Sequence, residues 1–148
     1  FVIGELDASF RSLIICQGEL TKSHMLDQHR QRIDSGTQSY LFGLASFAEG
    51  VDLPGDYCCQ VIIAKIPFTV PDDPVGATLY EWIDAKGGNS FAQVMVPTAA
   101  LRLTQAAGRL LRTEQDSGIV TILDSRLRSR RYGPNLIAAL PPFKLLSP

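Results

Sequence analysis

The chain of 148 residues contains no apolar run approaching the roughly 18 to 20 residues that a membrane-spanning helix needs, so no such helix is expected within it. Cysteine is scarce: Cys16, Cys58 and Cys59 are the only three, and none is in a C-x-x-C spacing. An odd count in that arrangement supplies neither a disulfide framework nor a zinc site, and a reducing, cytoplasmic compartment is the simplest reading. Charge of one sign is missing too. A net charge of -1 argues against a protein that coats nucleic acid by bulk electrostatics, although local basic stretches still allow contact with it. There is no G-x-x-x-x-G-K-[ST] loop to cradle phosphates, no internal repeat and no low-complexity segment. The opening "FVIGELDASF" has acidic residues and no basic n-region, unlike a signal peptide, and its lack of an initiator Met fits a fragment.

What remains is the composition of one ordinary globular domain, with 45% hydrophobic and 20% charged residues. Short apolar runs at 11–17, 39–44, 58–68 and 117–124 read as strands, the third being the clearest buried one. Between them lie helix signals. Thr21 or Ser23 caps a helix carrying Met25, Leu26 and Ile33 that stops at Gly36. Asp73 caps a second helix with Pro74 at its first position and Gly87 beyond its end; Trp82, Leu79 and Ile83 are its expected core face. Pro97 and Thr98 open a third helix running through Arg112, and 133–140 forms a short closing helix. Buried strands alternating with helices predict an α/β fold, a parallel sheet with helices on both faces.

Two stretches carry chemistry. In "QAAGRLLR" (105–112), helical spacing puts Gln105, Gly108, Arg109 and Arg112 on one stripe, while Leu103, Ala106, Ala107, Leu110 and Leu111 can pack. Gly108 costs roughly 1 kcal/mol in a helix interior, which suggests close approach by another backbone or a ligand. Two neighbouring guanidiniums repel each other, and a polyanion such as a triphosphate relieves that. The same spacing also describes two surface arginines lying over a helix. In "GLASFAEGVDLPG" (43–55), the loop follows a strand, where α/β sheets place ligands. Ser46 offers a hydroxyl, Glu49 and Asp52 offer carboxylates, and Gly50 permits close backbone approach; an acidic turn without a role has the same composition.

Together, the two stretches resemble motif V and motif VI (Q-x-x-G-R-x-x-R) of XPD-like superfamily 2 DNA helicases, and in particular the bacterial DinG and YoaA group. The surrounding text is similar as well: "CQGE", "DDPV" after "IPF", and "LDSRL…YG…LPPF", so that the resemblance runs from about Leu13 to Phe143 with the motifs in order. It implies the second RecA-like motor domain of an ATP-dependent DNA helicase, of the P-loop NTPase type and lacking its first strand, since "FVIGELDASF" corresponds only to the tail of the preceding helix. By this resemblance Arg109 and Arg112 reach the γ-phosphate of ATP held on the first motor domain, and Gln105 opens the motif. Glu49, Gly50 and Asp52 couple nucleotide to DNA, and Ser46 touches the DNA backbone. Single-stranded DNA and the first motor domain are the implied partners, with unwinding in the 5′-to-3′ direction.

The chain departs from the family pattern in lacking the phosphate loop and the D-E-x-H that hold ATP and Mg, both of which belong to the first motor domain. The iron–sulfur cluster possible in the parent protein needs four cysteines that are not here. The chain alone is therefore expected to be inactive. "SRLRSRR" (125–131) either meets DNA phosphates through residues such as Arg128 and Arg130 or is a solvated turn. His24 and His29, five apart, do not share a face as a metal pair would, and read as solvated; Cys58 and Cys59 read as small hydrophobes opening a buried strand. Two rivals remain: a non-catalytic module docking a replication or repair partner, which in a YoaA-like protein is the chi subunit of DNA polymerase III, and a stand-alone α/β phosphate-binding domain. The latter is weakened because no glycine-rich loop opens a helix.

Overall fold

A computed structural model describes residues 6–44, 47, 49–69 and 74–146. The elements follow the order α1 (Ala8–Ser12), β1 (Ile14–Cys16), α2 (Lys22–Asp34), β2 (Tyr40–Phe42), β3 (Gln60–Ile63), α3 (Pro74–Ala85), α4 (Val96–Ala107), β4 (Ile119–Ile122), α5 (Arg126–Ser129) and α6 (Gly133–Ala138). Thr21 caps α2 by accepting from the His24 N–H, and Gly36, at φ 76°, lets the chain turn left-handed after it. Asp84, near the end of α3, accepts from both the N–H and the hydroxyl of Ser90 at 2.8 Å. That bond ties α3 to a π-helical turn, Phe91–Met95, which runs directly into α4. The expected helical cap at Asp73 lies outside the described residues.

The parallel arrangement is borne out, in two separate pairs rather than one hydrogen-bonded sheet. β1 pairs with β2 from Ile14 opposite Tyr40, and β3 pairs with β4 from Gln60 opposite Ile119. Each pair anchors its own core. Ile15, Met25, Leu26, Phe47, Val51 and Leu53 pack under α2. Ile66, Val96, Ala99, Leu103 and Leu136 pack under α4 and α6, with Ile63 and Ile122 against them.

Several expectations are corrected by packing. β3, read as the clearest buried strand, covers only one face: Ile63 faces α4, whereas Ile62 is 57% exposed. A continuous apolar run signals burial on both faces only where both faces find a cover. On α3, Trp82 and Leu79 are exposed, and Trp82 stacks beneath the Lys86 ammonium at 4.3 Å from its ring centre. No described residue of that helix is buried, so its apolar stripe is not core in this chain. Cys59 is exposed and Cys58 half-buried, where burial pushes the Cys58 thiol up. His24 is exposed as expected, but His29 is buried. Its Nε2–H donates to the Tyr57 carbonyl at 2.8 Å, since a carbonyl only accepts, and Nδ1 lies 2.9 Å from the Ser39 hydroxyl.

Asp124 closes β4. Its carboxylate accepts from the Ile66 N–H at 2.9 Å and from the Arg126 guanidinium at 2.6 Å. The hydrogen bond from Arg126 holds the Asp124 carboxyl far below the usual carboxylate range, with burial opposing. A folded-state pKa below the unfolded value of about 3.9 gives stability that is present above that pH and lost as pH falls through the folded value. Asp124→Asn is thus expected to cost about 2 kcal/mol at pH 7, with the gap to wild type narrowing steadily below about pH 4. Thermal unfolding at stepped pH checks this, and a gap constant down to about pH 2 would sink the assignment.

Candidate functional site

The segment 105–112 is not one continuous helix. α4 ends at Ala107 with Gly108 as its C-cap, and the chain continues in i→i−3 turns: Arg109 N–H to Ala106, Leu110 N–H to Ala107 and Leu111 N–H to Gly108, at 3.2, 3.2 and 3.3 Å. Three-residue turns eclipse side chains at i and i+3. The series ends at Leu111, because the Arg112 N–H donates instead to the Asp116 carboxylate at 2.7 Å. Gln105 stays exposed on α4, and among the described residues no hydrogen bond links it to either arginine. The foreign backbone expected at Gly108 is not there, because a Cβ at that position would meet only Thr104 and Gln105 of the same helix. Leu110 is buried, whereas Leu111 is 38% exposed.

Both guanidiniums converge on a single atom. Arg109 Nη1 donates to the Val51 carbonyl at 3.1 Å and Arg112 Nη2 to the same oxygen at 2.6 Å. Arg112 Nε also lies 3.3 Å from the Asp52 carboxylate, which is 75% exposed. Arg109 Nε is buried with no hydrogen-bond partner among the described residues. The sequence-predicted loop and the sequence-predicted arginines are therefore joined, through the backbone of Val51 and the side chain of Asp52. Gly50, at φ 68°, adopts the left-handed backbone its type favours, and Glu49 is exposed beside it. Ser46 lies outside the described residues. Arg128 and Arg130 are exposed on and after α5, on a different turn from the arginine pair.

Three further residues hold this loop, and residue-type reading missed them. Lys22 donates to the Glu49 carbonyl and Arg30 to the Asp52 carbonyl at 3.0 Å. Their signal is spacing: Lys22, Leu26 and Arg30 are four apart and share one face of α2. The third is Asp116. Its carboxylate accepts from the N–H groups of Arg112 and Thr113, from the Thr113 hydroxyl and, across the molecule, from the Gly55 N–H at 2.7, 2.8, 2.7 and 3.2 Å. The Thr113 hydroxyl leads the bonds that pull the Asp116 carboxyl below its ordinary value. Four cations thus face the backbone of 49–52, and one carboxylate pins the arginine turn to the same loop. Chemically, two like charges meeting on one neutral carbonyl, one with an unpaired buried Nε, form an arrangement that an incoming multivalent anion stabilises.

No metal centre accompanies it: among the described residues, no group of three or more His, Cys, Asp or Glu side chains converges as ligands would. Nor, among the described residues, is any helix long and apolar enough to cross a membrane.

The chain is 48% identical over 131 residues to the ATP-dependent DNA helicase DinG of Photobacterium profundum, covering 88% of this chain and 19% of that protein. It is 40% identical over 141 residues to the ATP-dependent DNA helicase DinG of Salmonella choleraesuis, covering 95% and 20%. With the ATP-dependent helicase DinG of Mycobacterium tuberculosis it shares 43% over 130 residues, covering 88% and 19%. The chain thus spans about a fifth of the length of these relatives. Residues 3–143 match the helicase C-terminal domain, and with relatives at this identity the chain belongs to that family.

Proposed function

We propose that this chain is the second RecA-like motor domain of a DinG-type, ATP-dependent DNA helicase, acting in the cytoplasm on single-stranded DNA. The observation that carries the reading is the convergence of Arg109 and Arg112 on the Val51 carbonyl. Two guanidiniums of one turn are poised where a phosphate bound to a neighbouring lobe would draw both. ATP and Mg are assigned to the first motor domain, to which the phosphate loop and the D-E-x-H of such helicases belong. Arg109 and Arg112 are the arginine fingers, with Gln105 opening their motif and Glu49, Gly50 and Asp52 forming the responsive loop. Ser46 belongs to the same loop and is assigned to the DNA backbone.

The mechanism follows from that geometry. Phosphoryl transfer depends mainly on positioning and charge stabilisation, and a well-placed arginine finger contributes about 10³ to 10⁵ in rate. Swinging the guanidiniums to phosphate withdraws two donors from Val51, so the loop senses whether nucleotide is engaged. Hydrolysis cleaves the γ-phosphate from ADP, and once that phosphate has left, the arginines return to Val51 and the lobes reopen. Repeated closure around single-stranded DNA is translocation. The pure 148-residue chain is expected to hydrolyse no ATP above buffer, while a full-length helicase carrying it shows hydrolysis stimulated by single-stranded DNA. A phosphate-release assay decides, and turnover by the pure chain would overturn the division of labour.

A second reading has one specific observation behind it. Val75, Leu79 and Trp82 form an exposed apolar stripe at helical spacing on α3, as a non-catalytic module docking a replication or repair partner would present. The chi subunit of DNA polymerase III is the partner that the YoaA-like alternative names. Size-exclusion chromatography of the chain with that subunit separates this reading from the motor one.

A further inference from the structure

About 18 Å of helix separates the arginine turn from the opposite end of α4, whose 12 residues rise about 1.5 Å each. There the π-helical turn meets the segment between α5 and α6 around a surface cavity of about 440 Å³. Phe91, Tyr132, Arg131, Asn89 and Asn135 line it. The aromatic wall is built rather than incidental. Phe91 and Tyr132 lie 5.4 Å apart at 62°, and Phe68 contacts both, 5.5 Å from Phe91 and edge-on to Tyr132 at 5.4 Å. Phe68 and Tyr132 in turn pack against the buried cluster under α4, so the platform is fixed before anything binds. Phe91 nonetheless keeps 38% of its surface exposed.

Donors around this platform are left without a partner among the described residues. Arg131 is exposed, with no hydrogen bond or ion pair among the described residues. Asn89 Oδ1 accepts from the Ala92 N–H at 2.9 Å, which fixes the amide and leaves its NH₂ to donate. The Asn135 amide makes no hydrogen bond among the described residues. An aromatic face, two amides able to meet a hydrogen-bonding edge, and one guanidinium match a planar base linked to a phosphate. Only unpaired strands offer free base faces, and aromatic platforms beside arginine are the usual means of holding them.

We propose that this groove is a base-stacking subsite for single-stranded DNA, with Phe91 and Tyr132 holding a base, Asn89 and Asn135 meeting its edge and Arg131 its phosphate. The choice of DNA rests on the motor reading; the stacking chemistry does not. It would give the domain a grip on the strand distinct from the 43–55 loop, sensitive to bases as well as to the backbone.

The test uses the full-length helicase and two probes of equal length, an oligo-dT and an abasic deoxyribose-phosphate strand, with affinity followed by fluorescence anisotropy at several salt concentrations. Phe91→Leu is expected to weaken oligo-dT binding roughly five- to hundredfold while leaving the abasic strand unaffected, and Phe91→Tyr to restore it. Arg131→Gln should weaken both strands and reduce the salt slope by about one. Phe91→Leu weakening both probes equally, or neither, would overturn the subsite. So would unchanged strand binding accompanied by loss of a co-purifying protein, which would assign the groove to that protein. If single-stranded DNA fails to stimulate wild-type ATP hydrolysis while the Phe91 discrimination persists, the motor reading falls and the subsite stands.

Discussion

Arg112→Ala in a full-length helicase carrying this domain is expected to lower DNA-stimulated ATP hydrolysis by two or more orders of magnitude, with nucleotide binding largely kept. The resting contacts of Arg112 explain why its loss acts on turnover. Its partner Asp52 is 75% exposed, so their 3.3 Å ion pair is screened by water and contributes on the order of 0 to 1 kcal/mol. The Val51 carbonyl is a neutral acceptor. Neither holds the guanidinium strongly against a polyphosphate, which offers charge-assisted, bidentate bonds about twice as strong as neutral ones. Removing the side chain therefore costs little in the resting domain and much in the transition state. Arg112→Lys keeps the charge but loses the planar fork, and should recover only part of the rate. Stopped-flow phosphate release alongside fluorescent-nucleotide binding separates the two effects. Unchanged hydrolysis would make the arginine structural and withdraw the motor assignment of this turn.

Gly118→Ala is expected to destabilise the domain by about 3 kcal/mol, lowering Tm by roughly 6 to 12 °C, which is where overpacking becomes severe. A Cβ at 118 would overlap the Cys59 carbonyl oxygen and come within 2.7 Å of Leu110 Cδ1. That carbonyl accepts the Ile119 N–H at 3.1 Å, the bond leading into the β3–β4 ladder. Backbone on one side and a buried leucine on the other leave the methyl no cheap escape, and Leu110 sits within the arginine turn. Ser117→Ala, one residue earlier and exposed, is the matched control and should change Tm little. Equal melting of the two variants by circular dichroism would refute the close approach.

Much of this was legible in the sequence, because the signals concerned are local. Apolar runs located β1 to β4, Thr21 and Gly36 bounded α2, and the motif text placed loop and arginines in order along the chain. Periodicity failed where burial depends on a distant cover. Trp82 and Leu79 have the spacing of a packed face, yet nothing among the described residues buries them, while His29 reads as solvated and is buried by Ser39 and Tyr57 from elsewhere in the chain. Lys22, Arg30 and Asp116 escaped notice because each serves the site through backbone groups of another segment, and a backbone donor or acceptor leaves no mark in residue type.

By itself, then, the sequence determined an α/β chain with parallel strands, the family to which it belongs, and the residue types available to an anion. Local propensity and side-chain chemistry suffice for these. Only the tertiary structure decided that α4 stops at Ala107, with i→i−3 turns carrying the chain on to Leu111, and that Val51, 58 residues away from Arg109 in the chain, receives both arginines. Such a meeting depends on how two separate cores are set side by side, and its cost in chain entropy is met by packing spread over the whole domain rather than by any one stretch.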